Sequence, residues 1–314
     1  MTSRATFINI TNLRLMVGVL ILLLLPIITD FNIATEILVF SIFAIGFNFL
    51  AGYAGQLSFG HAAYFGLGAY ITGLSVQFVT ANLYLSFLIS LLAVSVISII
   101  FGRISLYRRG VYFAMITLAL AQMVYFASLS FTNLTNGDNG LLLSGATAEV
   151  GPLSPLKSDV HMYFIIALLL ILIILLIRYI LSTPFGEILI AIQQNEERTR
   201  HIGYNDSVYL LMAFTLSGAI SGLAGALFIA SNRFVSPEAL FWSTSGEVVL
   251  MTIIGGIGTL IGPVIGSFVF VLMSDILSDL TKFWPFFFGG LFVLVVILAP
   301  DGLYTLYERF KQEQ

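Results

Sequence analysis

Long apolar intervals, separated by short polar segments, dominate this chain. The intervals without a charged residue are residues 15–29, 37–102, 110–137, 160–177, 207–232, 248–274 and 283–300. Because a bilayer crossing takes roughly 20 apolar residues, the interval 37–102 is long enough for three crossings, near 33–51, 60–79 and 83–101. The interval 248–274 predicts either one long helix or two short, broken helices. The pattern therefore predicts nine or ten membrane-spanning helices.

The composition excludes an ordinary soluble domain. Hydrophobic residues make up 59% of the chain and charged residues 9%, with a mean hydropathy of +1.02, whereas about a quarter of the residues of a soluble domain are charged. The sequence lacks the segments of alternating hydrophobicity, about ten residues long, that are typical of a membrane barrel. We therefore expect an all-α fold, a polytopic helical membrane protein in which residues 1–314 form a single transmembrane domain. Residues 15–29 lack a signal-peptide cleavage site, so we expect a retained span.

The basic residues predict the orientation of the helices, because short cytoplasmic loops carry an excess of Lys and Arg. Ten crossings place the N-terminus, the loop 103–109, the loop 182–206 and the C-terminal tail together on the basic side. We therefore expect both termini in the cytoplasm and the loop 131–160 outside the cell. The net charge of −3 and the lack of a basic cluster give no indication of nucleic-acid binding.

The loop 182–206 contains a predicted amphipathic helix. Ser182 and Thr183 offer capping hydroxyls before Pro184, and proline favours the first helical position. Gly203 supplies the stop. Apolar residues recur on one face, namely Phe185, Ile188, Leu189 and Ile192. Such a helix either lies on the lipid head groups or docks into a cytoplasmic partner. The outer loop 131–160 is rich in turn-forming Asn, Gly and Pro, and either docks a partner or caps the bundle.

Glycine-rich segments interrupt the apolar intervals. Residues 52–70 combine glycines with neutral polar side chains, and irregular backbone is tolerated at membrane depth only where it is buried in protein or lines a watery path. Small residues spaced by four let membrane helices approach closely, which predicts a packing role for several glycines. They are Gly218 and Gly222, and, around Pro263, Gly258, Gly262 and Gly266. With the segment 255–266, each half of the chain contains one broken element, an arrangement typical of transport pathways.

The chain offers little catalytic chemistry. Cysteine is absent, which excludes disulfides and thiolate metal sites. None of the three lysines lies in a phosphate-binding loop, and the three histidines lack metal-ligand spacing. Asp275 and Asp279 would share a helix face and are spaced to hold Mg²⁺, but a second acidic motif is missing at membrane depth. We therefore interpret this pair as a solvated helix end.

Ionisable residues are also scarce within the predicted spans. Glu36, Glu247 and Asp301 all fall at predicted span ends. His61 is the exception, and we favour a hydrogen-bonded histidine over a proton carrier because it has no acidic neighbour in sequence. A transporter of this composition draws its energy from another chain or conducts passively.

Several motifs resemble those of a known family. The motifs are residues 52–70 (GYAGQLSFGHAAYFGLGAY), 110–122 (GVYFAMITLALAQ), 136–141 (NGDNGL), 182–186 (STPFG) with Ile192 and Asn195-Glu196, 217–225, and 255–266 (GGIGTLIGPVIG). Over residues 36–303 they resemble the permease subunits of bacterial branched-chain amino-acid ABC importers. The segment YFAM, followed by an Asp-containing glycine turn, is more similar to the LivM-type subunit than to its LivH-type partner.

The resemblance implies an ABC importer permease fold and several partner chains. Such a permease pairs with a homologous LivH-type permease, binds two cytoplasmic ATPases that hold ATP and Mg²⁺, and receives substrate from an external binding protein at the bacterial inner membrane. No cofactor is then expected in this chain. The helix from Pro184 to Gly203 becomes the coupling helix to the ATPase. Its expected docking residues are Pro184, Phe185, Gly186, Ile192, Asn195, Glu196, Glu197 and Gly203. Relatives tend to have two alanines where this chain has Arg198 and Thr199.

The resemblance also implies a function, the import of branched-chain, hydrophobic amino acids by alternating access, with no enzymatic activity in this chain. Neutral polar side chains are expected to line the substrate path, namely Asn48, Gln56, Ser58, His61 and Tyr64. One alternative keeps the machine and changes the cargo to urea, short amides, other amino acids or a sugar. The others are a passive channel or ion-coupled carrier, and an intramembrane enzyme that uses Asp275 and Asp279.

Overall fold

The computed structural model describes residues 26, 29–80, 82–143, 159–298 and 302–304. Within these ranges the chain forms twelve α-helices and one two-stranded ribbon. The helices are α1 Phe31–Asn48, α2 His61–Phe78, α3 Leu83–Ser105, α4 Val111–Ser130, α5 Thr132–Thr135, α6 Asp159–Leu181, α7 Pro184–Gln194, α8 Glu196–His201, α9 Asp206–Asn232, α10 Trp242–Gly255, α11 Gly262–Leu280 and α12 Trp284–Leu298. A π-helical turn, Phe49–Tyr53, extends α1, and 3-10 turns span Gly137–Asn139 and Pro237–Leu240. The predicted first span lies almost entirely outside the described residues.

Six of the described helical segments are long and apolar enough to cross a membrane. They are Phe31–Tyr53, Leu83–Ser105, Val111–Ser130, Asp159–Leu181, Asp206–Asn232 and Gly262–Leu280. The prediction of an all-helical, polytopic membrane protein is therefore confirmed. The total of nine or ten crossings stays a prediction.

The interval 248–274 belongs to two helices, which decides between the two predicted possibilities. α10 ends at Gly255 and α11 begins at Gly262. Between them Gly256 lies at φ 117° and Gly258 at φ 77°, a backbone region that favours glycine. Pro263 lies in the first turn of α11, where its missing N–H removes no intrahelical hydrogen bond. The break therefore follows from the residues that surround it.

α9 is the central helix and packs against α1, α2 and α3. Its glycines make this close approach possible. A Cβ atom on Gly222 would lie 2.7 Å from the Val94 side chain of α3, and one on Gly225 would overlap the Phe65 carbonyl of α2. A Cβ on Gly218 would likewise overlap Ser98. The helix backbones are therefore in near contact, which is how small residues promote packing in a membrane.

The described part of the outer loop, residues 131–143, consists of tight turns. After α5, Asn136 lies at φ 61° in the left-handed region and is followed by the 3-10 turn. The strand β1 (Leu141–Leu142) then pairs antiparallel with β2 (Phe234–Val235), which directly follows α9. The ribbon thereby attaches this loop to the end of the central helix.

Candidate coupling and transport site

The predicted cytoplasmic helix begins at Pro184, but its cap differs from the expectation. Thr183 precedes α7 in an extended conformation, and no side chain caps the helix. Instead, the Thr183 and Ser182 hydroxyls donate to carbonyls in the last turn of α6, at 2.6 and 2.7 Å. The predicted hydroxyl cap is therefore wrong, because backbone acceptors of the preceding helix compete for these side chains. Gly186 lets α7 start close to α6, since a Cβ there would lie 2.5 Å from the Leu181 Cα.

The predicted single helix from Pro184 to Gly203 is two helices. Asn195 lies at φ −160° and ψ 96°, which ends α7, and its Oδ1 accepts a hydrogen bond from the Arg198 backbone N–H at 2.8 Å. Asn195 is therefore the N-cap of α8, a position that asparagine favours. Gly203, the predicted stop, follows α8 at φ 104°.

The apolar face of α7 packs against its own bundle. Leu189 and Ile192 are buried, and Phe185 stacks on Tyr209 of α9 with ring centroids 5.7 Å apart. Beyond α7, Glu197 of α8 is exposed. The segment α7–α8 therefore packs against the rest of the protein through apolar residues and exposes polar residues to solvent.

Four charged side chains join three segments at this end of the bundle. Arg109, in the loop between α3 and α4, donates to Glu196 of α8 at 2.9 Å and to Asp206 of α9 at 3.1 Å. Arg200 donates to Glu196 at 3.1 Å and to Asp206 at 2.7 Å. The Asp206 side chain is only 5% exposed, and two guanidinium groups compensate its charge. Burial, followed by the neighbouring Asp206 carboxyl, raises the pKa of the Glu196 carboxyl, while Arg109 lowers it.

A chain of contacts connects α7 to both broken elements. Gln193 of α7 donates from Nε2 to the Gly52 carbonyl in the π-helical turn at 2.7 Å. Gly52 in turn approaches the loop between α10 and α11, where a Cβ on it would lie 2.5 Å from the Gly258 nitrogen. Asn48 accepts from the Gly258 N–H at 2.8 Å and donates to the Thr259 carbonyl at 2.8 Å. The two glycine-rich elements predicted from the sequence therefore meet directly, beside α7.

His61 lies in the interior at the start of α2. Its Nε2 is 2.8 Å from the Ser217 Oγ of α9, and that hydroxyl donates to the Gly46 carbonyl of α1 at 2.6 Å. A serine hydroxyl has only one proton, so Nε2 must donate and the imidazole carries its hydrogen there. His61, Ser217 and Gly46 thus join three helices at one point.

The five predicted pathway residues differ in exposure. Four are buried, with 0 to 2% of the residue exposed, namely Asn48, Ser58, His61 and Tyr64. The Ser58 hydroxyl accepts from the Gly60 N–H at 3.1 Å, and the rings of His61 and Tyr64 meet edge to face. Gln56 is half-buried. Of these five side chains, Gln56 is the one that reaches the surface of the chain.

The glycines near the C-terminal break have two different positions. A Cβ on Gly266 would overlap the Met251 carbonyl, and one on Gly262 would lie 2.8 Å from the Gly255 carbonyl oxygen, so both hold α11 close to α10. Gly258 lies in the loop between the helices, outside both. The three glycines therefore do not form one stripe on a single helix.

One of the three acidic residues expected at span ends, Glu247, is placed differently. α10 begins at Trp242 rather than near 248, so Glu247 lies inside a helix and not at a span end. The charge-free interval excluded this turn because Glu247 itself sets the start of the interval at residue 248. Glu36 lies in the second turn of α1, and Asp301 is outside the described residues. Among those described, no group of three or more His, Cys, Asp or Glu side chains could hold a metal ion.

Several residues of this site were not identified from the sequence, among them Arg109, Asp206 and Gln193. Arg109 and Asp206 pair across 97 positions, and Gln193 meets Gly52 across 141. A partial signal exists for the first pair, because each is a charged residue directly beside a charge-free interval. Gln193 has no such signal, since its neighbour Gln194 has the same side chain.

Comparisons with known proteins match this chain to transport permeases. A family model described as "Branched-chain amino acid transport system / permease component" matches residues 30–299. Two relatives named high-affinity branched-chain amino acid transport system permease protein LivM, from Salmonella typhimurium and Escherichia coli K12, are each 28% identical over 293 residues, covering 87% of this chain and 69% of the relative. An autoinducer 2 import system permease protein LsrC from Photorhabdus laumondii is 30% identical over 142 residues, covering 43% of this chain and 42% of the relative. No solved structure matches the chain.

Proposed function

We propose a transport mechanism for this chain, which belongs to the family of permease components of branched-chain amino acid transport systems. It is a multi-pass transporter subunit and not an enzyme. In the mechanism, separate ATPase subunits bind ATP and Mg²⁺, and this permease domain, residues 1–314, moves branched-chain amino acids inward by alternating access. The observation that supports it most is the chain of contacts that connects α7 to both broken elements, through Gln193, Gly52 and Asn48.

α7 and α8 form the coupling segment to an ATPase. ATP-driven movement of the ATPase displaces α7, and Gln193 passes the displacement to the π-helical turn through Gly52, 2.7 Å away. Asn48 passes it on to the loop of Gly258 through two hydrogen bonds. Glycines with positive φ on both sides of this contact, Gly55 and Gly256 among them, absorb the backbone change at little cost. The two broken elements then move together, opening one side of the path as they close the other.

The proposed mechanism includes further partners. With α7 and α8 in the cytoplasm, both termini are cytoplasmic and the loop 131–160 faces the external binding protein. A second, LivH-type permease completes the substrate path, because the path must be enclosed by protein on both sides. Gln56 faces it, while the buried Asn48, Ser58, His61 and Tyr64 shape its wall from behind.

One observation supports an alternative, in which the substrate is not a branched-chain amino acid. A permease named for autoinducer 2 import matches 43% of this chain, so a similar fold is found with another solute. The machine would then be the same and the substrate different. A passive channel and an intramembrane enzyme have no comparable support.

The test is uptake of labelled leucine into vesicles that contain the complete complex of both permeases, both ATPases and the binding protein. We expect uptake that requires ATP and stops when a non-hydrolysable ATP analogue replaces it. Uptake of equal rate without ATP would reject the importer. ATP-dependent uptake of another solute but not of branched-chain amino acids would keep the machine and reject the cargo.

A further inference from the structure

A cavity of about 340 Å³ lies where α1, α2 and α9 meet the start of α10. Its volume is within the range of small-molecule sites, roughly 300 to 1,000 Å³. One wall is aromatic and consists of Phe40, Phe65 and Phe228, whose ring centroids are 5.9, 6.3 and 5.2 Å apart pairwise. Since each ring contacts the other two, this wall is preformed and presents an apolar surface that an aliphatic group can cover.

The rest of the lining comes from α10 and the residues just before it, and it combines polar side chains with Ala239 and Phe241. Glu247, Ser243 and Thr244 belong to it, together with Glu238. The Thr244 hydroxyl donates to the Glu238 carbonyl at 3.0 Å, which fixes the turn against the helix. The lining residues, all within the described ranges, include two carboxylates and no basic side chain. The cavity therefore has an apolar side and an acidic side.

Of the two carboxylates that line the cavity, Glu238 is exposed and Glu247 is the less exposed one. It is half-buried, and none of the ion pairs found among the described residues includes it. α10 packs against α1, which carries a second acidic residue, Glu36. A partly buried carboxylate without a counter-charge is costly. A cationic group inside the cavity would supply that charge.

We propose that this cavity binds the α-ammonium group and the aliphatic side chain of a zwitterionic amino acid, with Glu247 as the specificity-determining carboxylate. The ammonium group donates charge-assisted hydrogen bonds to Glu247 and lies near aromatic faces that attract cations. The aliphatic side chain covers Phe40, Phe65 and Phe228. The substrate carboxylate points to the first turn of α10, where the helix dipole favours negative charge and Ser243 offers a hydroxyl.

This inference rests on the proposed function, since it places the cavity on the substrate path. It differs from the predicted pathway residues, none of which lines the cavity. It assigns the recognition of the substrate's amine to the permease itself, in addition to any recognition by a binding protein.

The test is equilibrium binding of labelled leucine to the purified permease and ATPase complex in lipid nanodiscs, without the binding protein. We expect Glu247→Gln to weaken binding at least tenfold, because a charge-assisted contact becomes a neutral one. The matched control is Asp279→Asn, an exposed acid on α11 outside the cavity, which should leave binding unchanged. 4-Methylpentanoate, which lacks the amine, should compete at least tenfold more weakly than leucine.

Other outcomes separate this inference from the proposed function. An unchanged dissociation constant in Glu247→Gln, or equal competition by 4-methylpentanoate, rejects the cavity even if ATP-dependent uptake is intact. Glu247-dependent binding without ATP-dependent uptake supports the cavity and rejects the importer. If Glu247→Gln fails to assemble, Ser243→Trp fills the cavity from an exposed position, and retention of leucine binding in that variant would overturn the inference.

Discussion

Ser217 shows how much a single hydroxyl does in this bundle. It lies on α9, accepts a hydrogen bond from His61 of α2 and donates one to the Gly46 carbonyl of α1. Because the hydroxyl proton is used on Gly46, the imidazole must donate through Nε2. Protonation of the other ring nitrogen would bury a charge in the interior, which is costly without a partner. The histidine is therefore a structural link between helices.

We expect Ser217→Ala to lower the free energy of unfolding by about 1–3 kcal/mol, because it leaves the buried His61 Nε2–H without its acceptor. The control is Ser221→Ala on the same helix. Its hydroxyl bonds only to the Ser217 carbonyl, four residues back within α9, so a smaller loss is expected. Thermal unfolding in detergent measures both. Equal losses of stability in the two variants would show that the hydrogen bonds joining the three helices do not contribute to stability.

At the scale of elements, α9 and α2 are held at a distance that only glycine allows. A side chain on Gly225 would overlap the Phe65 carbonyl, and one on Gly68 would overlap the Gly222 carbonyl. Neither obstacle is a flexible side chain that could move aside. Adding one methyl group must therefore separate the helices.

Gly225→Ala is expected to destabilise the protein by about 1–3 kcal/mol, the usual effect of overpacking. Gly246→Ala on α10 is the matched control, because a Cβ there meets no atom within 4 Å. Alanine at that helical position should be neutral or stabilising. The unfolding temperatures of the two variants are compared. A decrease for Gly246→Ala as large as that for Gly225→Ala would contradict the explanation by close packing.

The contact between α7 and the π-helical turn can be tested separately. Gln193→Ala removes its hydrogen bond to the Gly52 carbonyl. We expect uptake per ATP hydrolysed to fall about fivefold, the change that about 1 kcal/mol produces, while ATP hydrolysis continues. Gln194→Ala changes the adjacent, exposed glutamine and should leave the ratio unchanged. Parallel loss of uptake and hydrolysis in Gln193→Ala would place this residue in docking instead.

At the scale of the whole molecule, the two glutamates of α8 have different surroundings. Glu196 is paired with Arg109 and Arg200 inside the chain, whereas Glu197 is exposed. Contacts with the ATPase should therefore depend on Glu197. The packing of α8 against the bundle should depend on Glu196.

Glu197→Ala should weaken ATPase copurification without changing permease stability, by up to about fivefold for an exposed ion pair worth about 1 kcal/mol. Glu196→Ala should lower permease stability, because two guanidinium groups lose a shared acceptor. Copurification and unfolding are measured on both variants. If Glu197→Ala behaves like the unchanged protein, α8 does not dock through its exposed face.

The class of this protein can be recognised from short stretches of its sequence. Its charge-free intervals predict membrane helices, and its short motifs identify the permease family. Pro184 and Gly203 mark the limits of the segment α7–α8 where the structure has them. These features are local, because hydropathy, helix starts and stops, and family motifs are all properties of short windows of residues.

Which distant residues meet is visible only in the folded chain. The structure paired Arg109 with Asp206 and Gln193 with Gly52, and it moved Glu247 from a supposed span end to the wall of a cavity. It also split the coupling segment at Asn195. The reason is physical: in a membrane, where lipid and core are equally apolar, hydropathy does not distinguish which face of a helix meets which neighbour, and close packing with a few hydrogen bonds decides it.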